Sequence, residues 1–518
     1  MLTGDMLRRS ADRFPKKNAI VFRGPEGVRR EVTYRALDED ANRLANALLA
    51  MGLPRGATVS MLSRNLAEYG TVFFGVARSG CLQNNISVLY APDELAWVLN
   101  KSRTQVLVFD AFFADKVMAV RGECPGIRTW ICIGKTPKMD GLQPFEDVLA
   151  NGAPTPPDVQ IDEQDAFCMT YTGGTTGRPK GVQMSHRARA TTAHTVAFEE
   201  RLSDEDIVGI VTPLFHVAAL NIMFQPAVLV GATSVFVTPW SPDAYLAAVE
   251  QEKITAAFMV PTQANALATY PQVEKRDLAS WKKLSFAGAP MPDWVQMDLM
   301  ARLPALKLTQ IYGQSEMGVI AALPPAYLPA KLGTVGRQPY NVDVAVFRPD
   351  GTRCAPGEWG EVATRGDNIM MCYFDEPQQT ADFFRMGNGW GLSGDVGFID
   401  EDGFLTLVDR AKDMLISGGE NVYPKEIENV LYEMSQVAEC AVFGIPDDKW
   451  GEVPAAYLQL KSGASLTEQE VIAQCESKLA RLKRPRLVKF VEEFPKTPIG
   501  KIQKNVLKEP YWQNRKKI

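Results

Sequence analysis

Over its first third the chain alternates between two hydrophobic periods. TYRALDEDANRLANALLAMG puts Leu37, Ala41, Leu44, Ala45 and Leu48 at helical spacing and is stopped by Gly52. ATVSML and TQVLVFD are apolar runs of strand length, and PDELAWVLNKSR opens another helix with Pro92 and two acids in its first turn. Alternation of this kind predicts an α/β chain with largely parallel sheets, because parallel strands need a crossover, usually a helix, that also covers the sheet face. EKITAAFMVPTQ and KKLSFAGAPMP continue the pattern as strand-to-loop transitions. From about Thr334, short strands between Gly, Pro and Asp turns predict a small β-barrel-like subdomain. SGGENVYPKEIENVLYEM then turns on glycine and enters a helix, with Pro424 near its start and Ile427, Val430, Leu431 and Met434 on one face. The expected division is a large N-terminal domain over residues 1–411 and a small α+β C-terminal domain over 412–518.

Composition narrows the function. At 518 residues the chain is too long for a single core. A net charge of -5 excludes a global polyanion-binding surface, so no nucleic-acid partner is expected and any basic site is local. Eight cysteines form no C-x-x-C pair and there are three histidines, which argues against a structural zinc site and for free buried thiols. No stretch reaches about 18 apolar residues without a charge or turn signal, and the first residues carry no apolar leader. No membrane segment is expected, and the location read from this is cytoplasmic.

Six segments stand out chemically. YTGGTTGRPKG, Tyr171 to Gly181, crowds glycines and hydroxyls beside a lysine, as a loop wrapping an anion would. It is not a Walker loop, because Lys180 follows Pro179 rather than Gly177. A plain turn is the competing reading, but the loop follows the apolar AFCMTY and precedes the helix-capable SHRARATTAH. IYGQSEMG isolates Glu316 between glycines; the alternative is a solvated loop acid, and the spacing does not fit a hydrolase elbow. PLFHVAAL sets His216 among apolar residues, where a satisfied core histidine is the commoner outcome. SGDVG places Asp395 in an expected turn, LVDRAKDMLISGGENVYP gathers Arg410, Lys412 and two glycines, and FPKTPIGKIQK offers Lys501 on a Pro-bounded loop.

In this order and spacing, over nearly the whole chain, these motifs resemble the adenylate-forming superfamily of acyl-CoA synthetases, luciferase-like enzymes and peptide-synthetase adenylation domains. The resemblance implies two steps: a carboxylate attacks ATP to give an acyl-adenylate and pyrophosphate, then the thiol of coenzyme A displaces AMP. It implies that Thr172, Gly173, Gly174, Thr175, Thr176, Gly177 and Lys180 hold the phosphates, although the family often has Ser or Thr where Gly173 stands. Gly288, Ala289 and Pro290, with Gln310, Tyr312, Gly313, Gln314 and Ser315, should form the adenine and acyl pocket, and Glu316 with Thr172 should hold Mg2+. Asp395 and Arg410 should bind the ribose, and Lys501 should bridge the carboxylate and the α-phosphate. Glu316, His216 and Thr176 join Lys501 as implied catalytic residues. Lys412 matches the family's hinge, about which a mobile C-terminal domain would bring Gly418, Gly419 and Glu420 to the site for thioester formation. The basic KLARLKRPRLVK either meets coenzyme A phosphates or is a solvated face.

The acyl-pocket candidates, His216, Val217, Ala218, Leu220, Phe286, Gly288, Met317 and Val319, are mostly apolar or small. They suit a fatty, alicyclic or aryl carboxylic acid, and PLFHVAALN has no aspartate for an amino-acid amine. Two alternatives remain: an acyl-AMP ligase that passes its product to a carrier protein, and a non-catalytic nucleotide-binding protein. A homodimer is an expectation from the family alone.

Overall fold

A computed structural model describes residues 1–135, 137, 140–172, 179–289, 291–410, 413–417, 420–496 and 502–512, with backbone only at 410, 420 and 421. The chain divides into two compact units. One comprises Met1–Leu332, Gly336–Asp343 and Thr364–Gly391; the other comprises Gly333–Val335, Val344–Ala363 and Leu392–Ile518.

The first unit is built on two eight-stranded sheets. In one, Thr58–Leu62 lies parallel to both Leu82–Asn85 and Thr104–Asp110, and Leu82–Asn85 is parallel to Ala166–Thr172. In the other, Ile207–Ile210, Ala256–Met259, Lys283–Phe286 and Lys307–Gln314 run parallel in succession. Both sheets gain antiparallel strands at one side: Lys180–Ser185 and then Cys372–Tyr373 on the first, and Gly318–Leu323 on the second. The expected α/β architecture is therefore present, with parallel strands covered by helices.

The helix read from residues 34–50 shows how packing completes the pattern. Thr33 caps it by accepting from the Ala36 N–H at 3.2 Å, and Leu37, Ala41, Leu44, Ala45 and Leu48 are all buried. It packs on Glu68–Ser79, where a Cβ on Gly75 would sit 2.9 Å from Leu44 and 3.1 Å from the Ala41 carbonyl oxygen. Glycine permits that close approach.

The second unit holds a four-stranded sheet of Asp343–Phe347, Gly360–Arg365, Gly391–Ile399 and Leu405–Arg410. A five-stranded sheet follows, centred on the long hairpin Val437–Asp447 and Gly451–Leu460. The helix Pro424–Tyr432 buries Ile427, Val430 and Leu431 on the expected face. All eight cysteines are free thiols, six of them buried.

Candidate active site

The phosphate-loop candidate joins two antiparallel strands. Tyr171 opposes Gly181 and Thr172 opposes Lys180, so the two ends of the loop lie side by side. The helix expected in SHRARATTAH is present and begins at His186, with the strand Lys180–Ser185 between it and the loop. Ser185 caps that helix by accepting from the Ala188 N–H at 3.1 Å.

Glu316 sits in the tight turn between Lys307–Gln314 and Gly318–Leu323, where Gln314 opposes Gly318. A Cβ on Gly313 would fall 2.1 Å from the Gly318 carbonyl oxygen, so the hairpin closes as it does only with glycine there. Gly318 itself takes φ +62°. Glu316 is half-buried; its main-chain oxygen accepts from the Met370 N–H at 2.7 Å and its Oε1 from the Tyr373 hydroxyl at 2.9 Å. Burial, then the Glu316 charge, pushes the Tyr373 hydroxyl well above its ordinary pKa, so it stays a donor. Lys180 Nζ lies 5.1 Å from the centroid of the same ring.

Phe286 pairs with Gln310 in parallel register, which carries Gly288 and Ala289 to the strand end that continues through Tyr312 toward Glu316. Gly288 and Ala289 are exposed, with Gly288 at φ +91°. Gln310, Tyr312 and Gln314 are half-buried, Gly313 is exposed and Ser315 is buried. Phe286 and Met317 are fully buried, and Phe286 belongs to the core cluster that contains Met259 and Met291.

His216 precedes a helical stretch that runs Val217–Ala219, through a π turn Leu220–Phe224, into Gln225–Val230. Its Nδ1 accepts from the Ala218 N–H at 3.2 Å, which puts the ring proton on Nε2. Burial lowers its pKa to about 4, so the ring is neutral near pH 7. Val217 and Ala218 are half-buried and Leu220 is buried. From the π turn, Ile222 packs with Ala287 on a cluster of Val196, Ile311 and Val319.

In the second unit, Asp395 does not stand in the expected turn. It lies within the strand Gly391–Ile399, opposite Arg410 of Leu405–Arg410, and is 6% exposed. The glycine that suggested a turn, Gly394, takes φ +71° inside the strand. The Asp395 main-chain N–H donates to Ser393 Oγ at 3.1 Å, and that hydroxyl donates to the Val362 carbonyl at 2.7 Å. Three of the six cations in the basic run pair with acids of their own unit: Lys478 with Glu433, Lys483 with Glu426, and Arg484 with Glu476 at 3.0 Å. Gly173, Gly174, Thr175, Thr176, Gly177, Pro290, Lys412, Gly418, Gly419 and Lys501 lie outside the described residues, and the side chains of Arg410 and Glu420 do too.

One segment was not singled out from sequence at all. Residues 368–374 tie the Glu316 turn to the phosphate-loop hairpin. The fully buried Asn368 donates to the Met317 carbonyl, while Met371 and Phe374 N–H groups donate to Gln183 and Gly181, each at 2.8 Å. NIMMCYF carries no local pattern that points to a turn some 55 residues away. Among the described residues, no three or more His, Cys, Asp or Glu side chains gather where they could hold a metal.

Residues 7–374 match the AMP-binding enzyme family, and residues 426–501 match the AMP-binding enzyme C-terminal domain. The chain belongs to the AMP-binding enzymes. This AMP-binding enzyme is 34% identical to a feruloyl-CoA synthase of Amycolatopsis sp over 93% of its own chain and 94% of the relative. It is 34% identical to a long-chain-fatty-acid–CoA ligase of Mycobacterium tuberculosis (strain ATCC 25618 / H37Rv), over 98% of both chains. Its fold is similar to that of an anthranilate CoA ligase in complex with anthranoyl-AMP, with TM-score 0.89 and 26% identity over 99% of this chain and 97% of that one. The enzyme is an ATP-dependent, AMP-forming acid–CoA ligase that works through an acyl-adenylate. No helix among the described residues is long and apolar enough to cross a membrane.

Proposed function

We propose that this enzyme activates an apolar carboxylic acid, aryl or fatty, and that the acid's tail lies against Val196, Ile222, Ala287, Ile311 and Val319. The observation that carries the proposal is this apolar cluster, in which Ile311 and Val319 come from the strands that lead into and out of the Glu316 turn and Val196, Ile222 and Ala287 come from other segments. The apolar composition around His216 and the names of the relatives support it. His216, neutral and bearing its proton on Nε2, is assigned as a polar donor to the acid.

In the first step an oxygen of the acid attacks the α-phosphorus of ATP, the bond to the bridging oxygen breaks, and pyrophosphate leaves. Lys501 balances the charge that develops there, and Lys180 with the loop 172–177 holds the β- and γ-phosphates. Asp395 accepts from the ribose hydroxyls, for which an acceptor-only carboxylate facing two donors is suited, and Arg410 stands across the ladder from it. In the second step the sulfur of coenzyme A attacks the acyl carbon, its proton goes to solvent, and AMP leaves. The C-terminal domain, residues 412–518, turns about Lys412 between the steps and brings Gly418, Gly419 and Glu420 to the adenylate.

Mg2+ fits the donor set. The Glu316 carboxylate and the Thr172 hydroxyl are hard oxygen donors, of the kind Mg2+ takes alongside phosphate and water. When bound it would neutralise phosphate charge that otherwise repels the incoming carboxylate. We assign the enzyme to the cytoplasm and to a homodimeric state, the latter to be read by light scattering. Mass spectrometry of thioesters formed from ATP, Mg2+, coenzyme A and a panel of fatty, alicyclic and aryl acids tests the substrate class. Thioesters of apolar acids support it. Turnover confined to short polar or amino acids refutes it, and acid-dependent pyrophosphate release without a thioester would point to a carrier-protein acceptor.

A further inference from the structure

One tyrosine touches both charged groups proposed to meet the triphosphate. The Tyr373 hydroxyl donates to Glu316 Oε1 at 2.9 Å, while the Lys180 ammonium lies 5.1 Å from the ring centroid. The ring is fixed from several sides. Tyr373 opposes Val182 on the phosphate-loop hairpin, its N–H donates to Thr380 Oγ1 at 3.0 Å, and Phe383 meets the ring edge-on at 6.1 Å. The Met370 N–H, on the same short segment, holds the Glu316 main chain.

We propose that Tyr373 is a positioning residue for adenylation: its hydroxyl orients the Glu316 carboxylate toward the metal–nucleotide while its ring face steers Lys180. The inference rests on the reading that Glu316 holds Mg2+. A neutral O–H is the donor such a carboxylate needs. It fixes one oxygen but leaves the charge and the remaining lone pairs for a cation. An arginine or lysine in the same place would satisfy the carboxylate electrostatically and compete with the metal. The aromatic face attracts the Lys180 ammonium without neutralising it, so the cation remains available to phosphate.

The test compares wild type, Tyr373→Phe, Glu316→Gln and the double variant. ATP binding is measured by titration calorimetry with excess Mg2+ and again with EDTA, alongside acid-dependent adenylation and thermal melting. Tyr373→Phe keeps the ring, its contact with Phe383 and the cation on its face, so the chain should still melt cooperatively and the affinity in EDTA should not change. The gain in ATP affinity on adding Mg2+ should shrink about tenfold, the usual size for losing a hydrogen bond to a charged group, with adenylation falling by a similar factor. Thioester formation from supplied acyl-adenylate should be unchanged, and the double variant should behave as Glu316→Gln alone. A Mg2+ gain in Tyr373→Phe equal to wild type, with Glu316→Gln impaired, overturns the role of Tyr373 and leaves Glu316 standing. Equal Mg2+ gains in wild type and Glu316→Gln overturn both.

Discussion

Replacing Gly313 by alanine should disable adenylation while leaving the chain folded. The added Cβ would lie 2.1 Å from the Gly318 carbonyl oxygen, and real Cβ atoms essentially never come within 3.0 Å. Relief requires the two strands to part by about 0.9 Å at the turn that carries Glu316. The obstacle is main chain, so no side chain can swing aside. A displacement near 1 Å in a catalytic group typically costs on the order of 10²-fold in rate. The penalty for stability should be only about 1–3 kcal/mol, as for other overpacked sites, because Gly313 is exposed and the rest of the hairpin stays paired. Pyrophosphate release in a single turnover, measured beside a urea melt, separates the two effects. Thioester formation from supplied acyl-adenylate should fall less than adenylation does. An alanine variant that releases pyrophosphate within about twofold of wild type would refute the claim that hairpin geometry sets the Glu316 position.

Three further outcomes follow from named groups. Lys501→Ala should lose on the order of 10²–10³-fold in acyl-adenylate formation, as expected for one preorganised cation; pyrophosphate exchange within a factor of about two of wild type would rule the assignment out. Lys412→Pro, which fixes φ, should slow thioester formation more than adenylation, and equal loss in both half-reactions, each assayed separately, would count against a hinge there. Glu200 is buried, its Oε1 has no hydrogen-bond partner among the described residues, and burial raises its pKa from 4.5 to about 8. Between those values the folded chain holds a proton that the unfolded chain has lost, so this group's contribution to stability falls as pH rises from 4.5 to about 8. Glu200→Gln should therefore gain stability over wild type across that window, up to a ceiling of about 5 kcal/mol; a difference in urea midpoint that does not change with pH would contradict it.

Elements with their own period were legible in the sequence. The helix over residues 34–50 and the strands at 58–62 and 104–110 bury the side chains that their spacing selects. What escaped is what local pattern does not encode. Asp395 sits between glycines that read as a turn, yet the ladder to Leu405–Arg410 carries the chain through Gly394 as strand. The strand after the phosphate loop was hidden because KGVQMS lacks a clean alternation, with Gly181 and Val182 both buried. Tyr373 could not be found by period or spacing, because its bond to Glu316 depends on tertiary pairing with the phosphate-loop hairpin. Val196 and Ile222 reach the apolar wall from two different helical segments, and only their packing on Ile311 and Val319 identifies them.

The most direct test of the account is isotope exchange between pyrophosphate and ATP in the absence of coenzyme A. Exchange that depends on an apolar carboxylic acid and proceeds without the thiol is the predicted result, since the first half-reaction must reverse on its own. Exchange that requires coenzyme A, or that is absent with an acid whose thioester the enzyme makes, would contradict an acyl-adenylate intermediate.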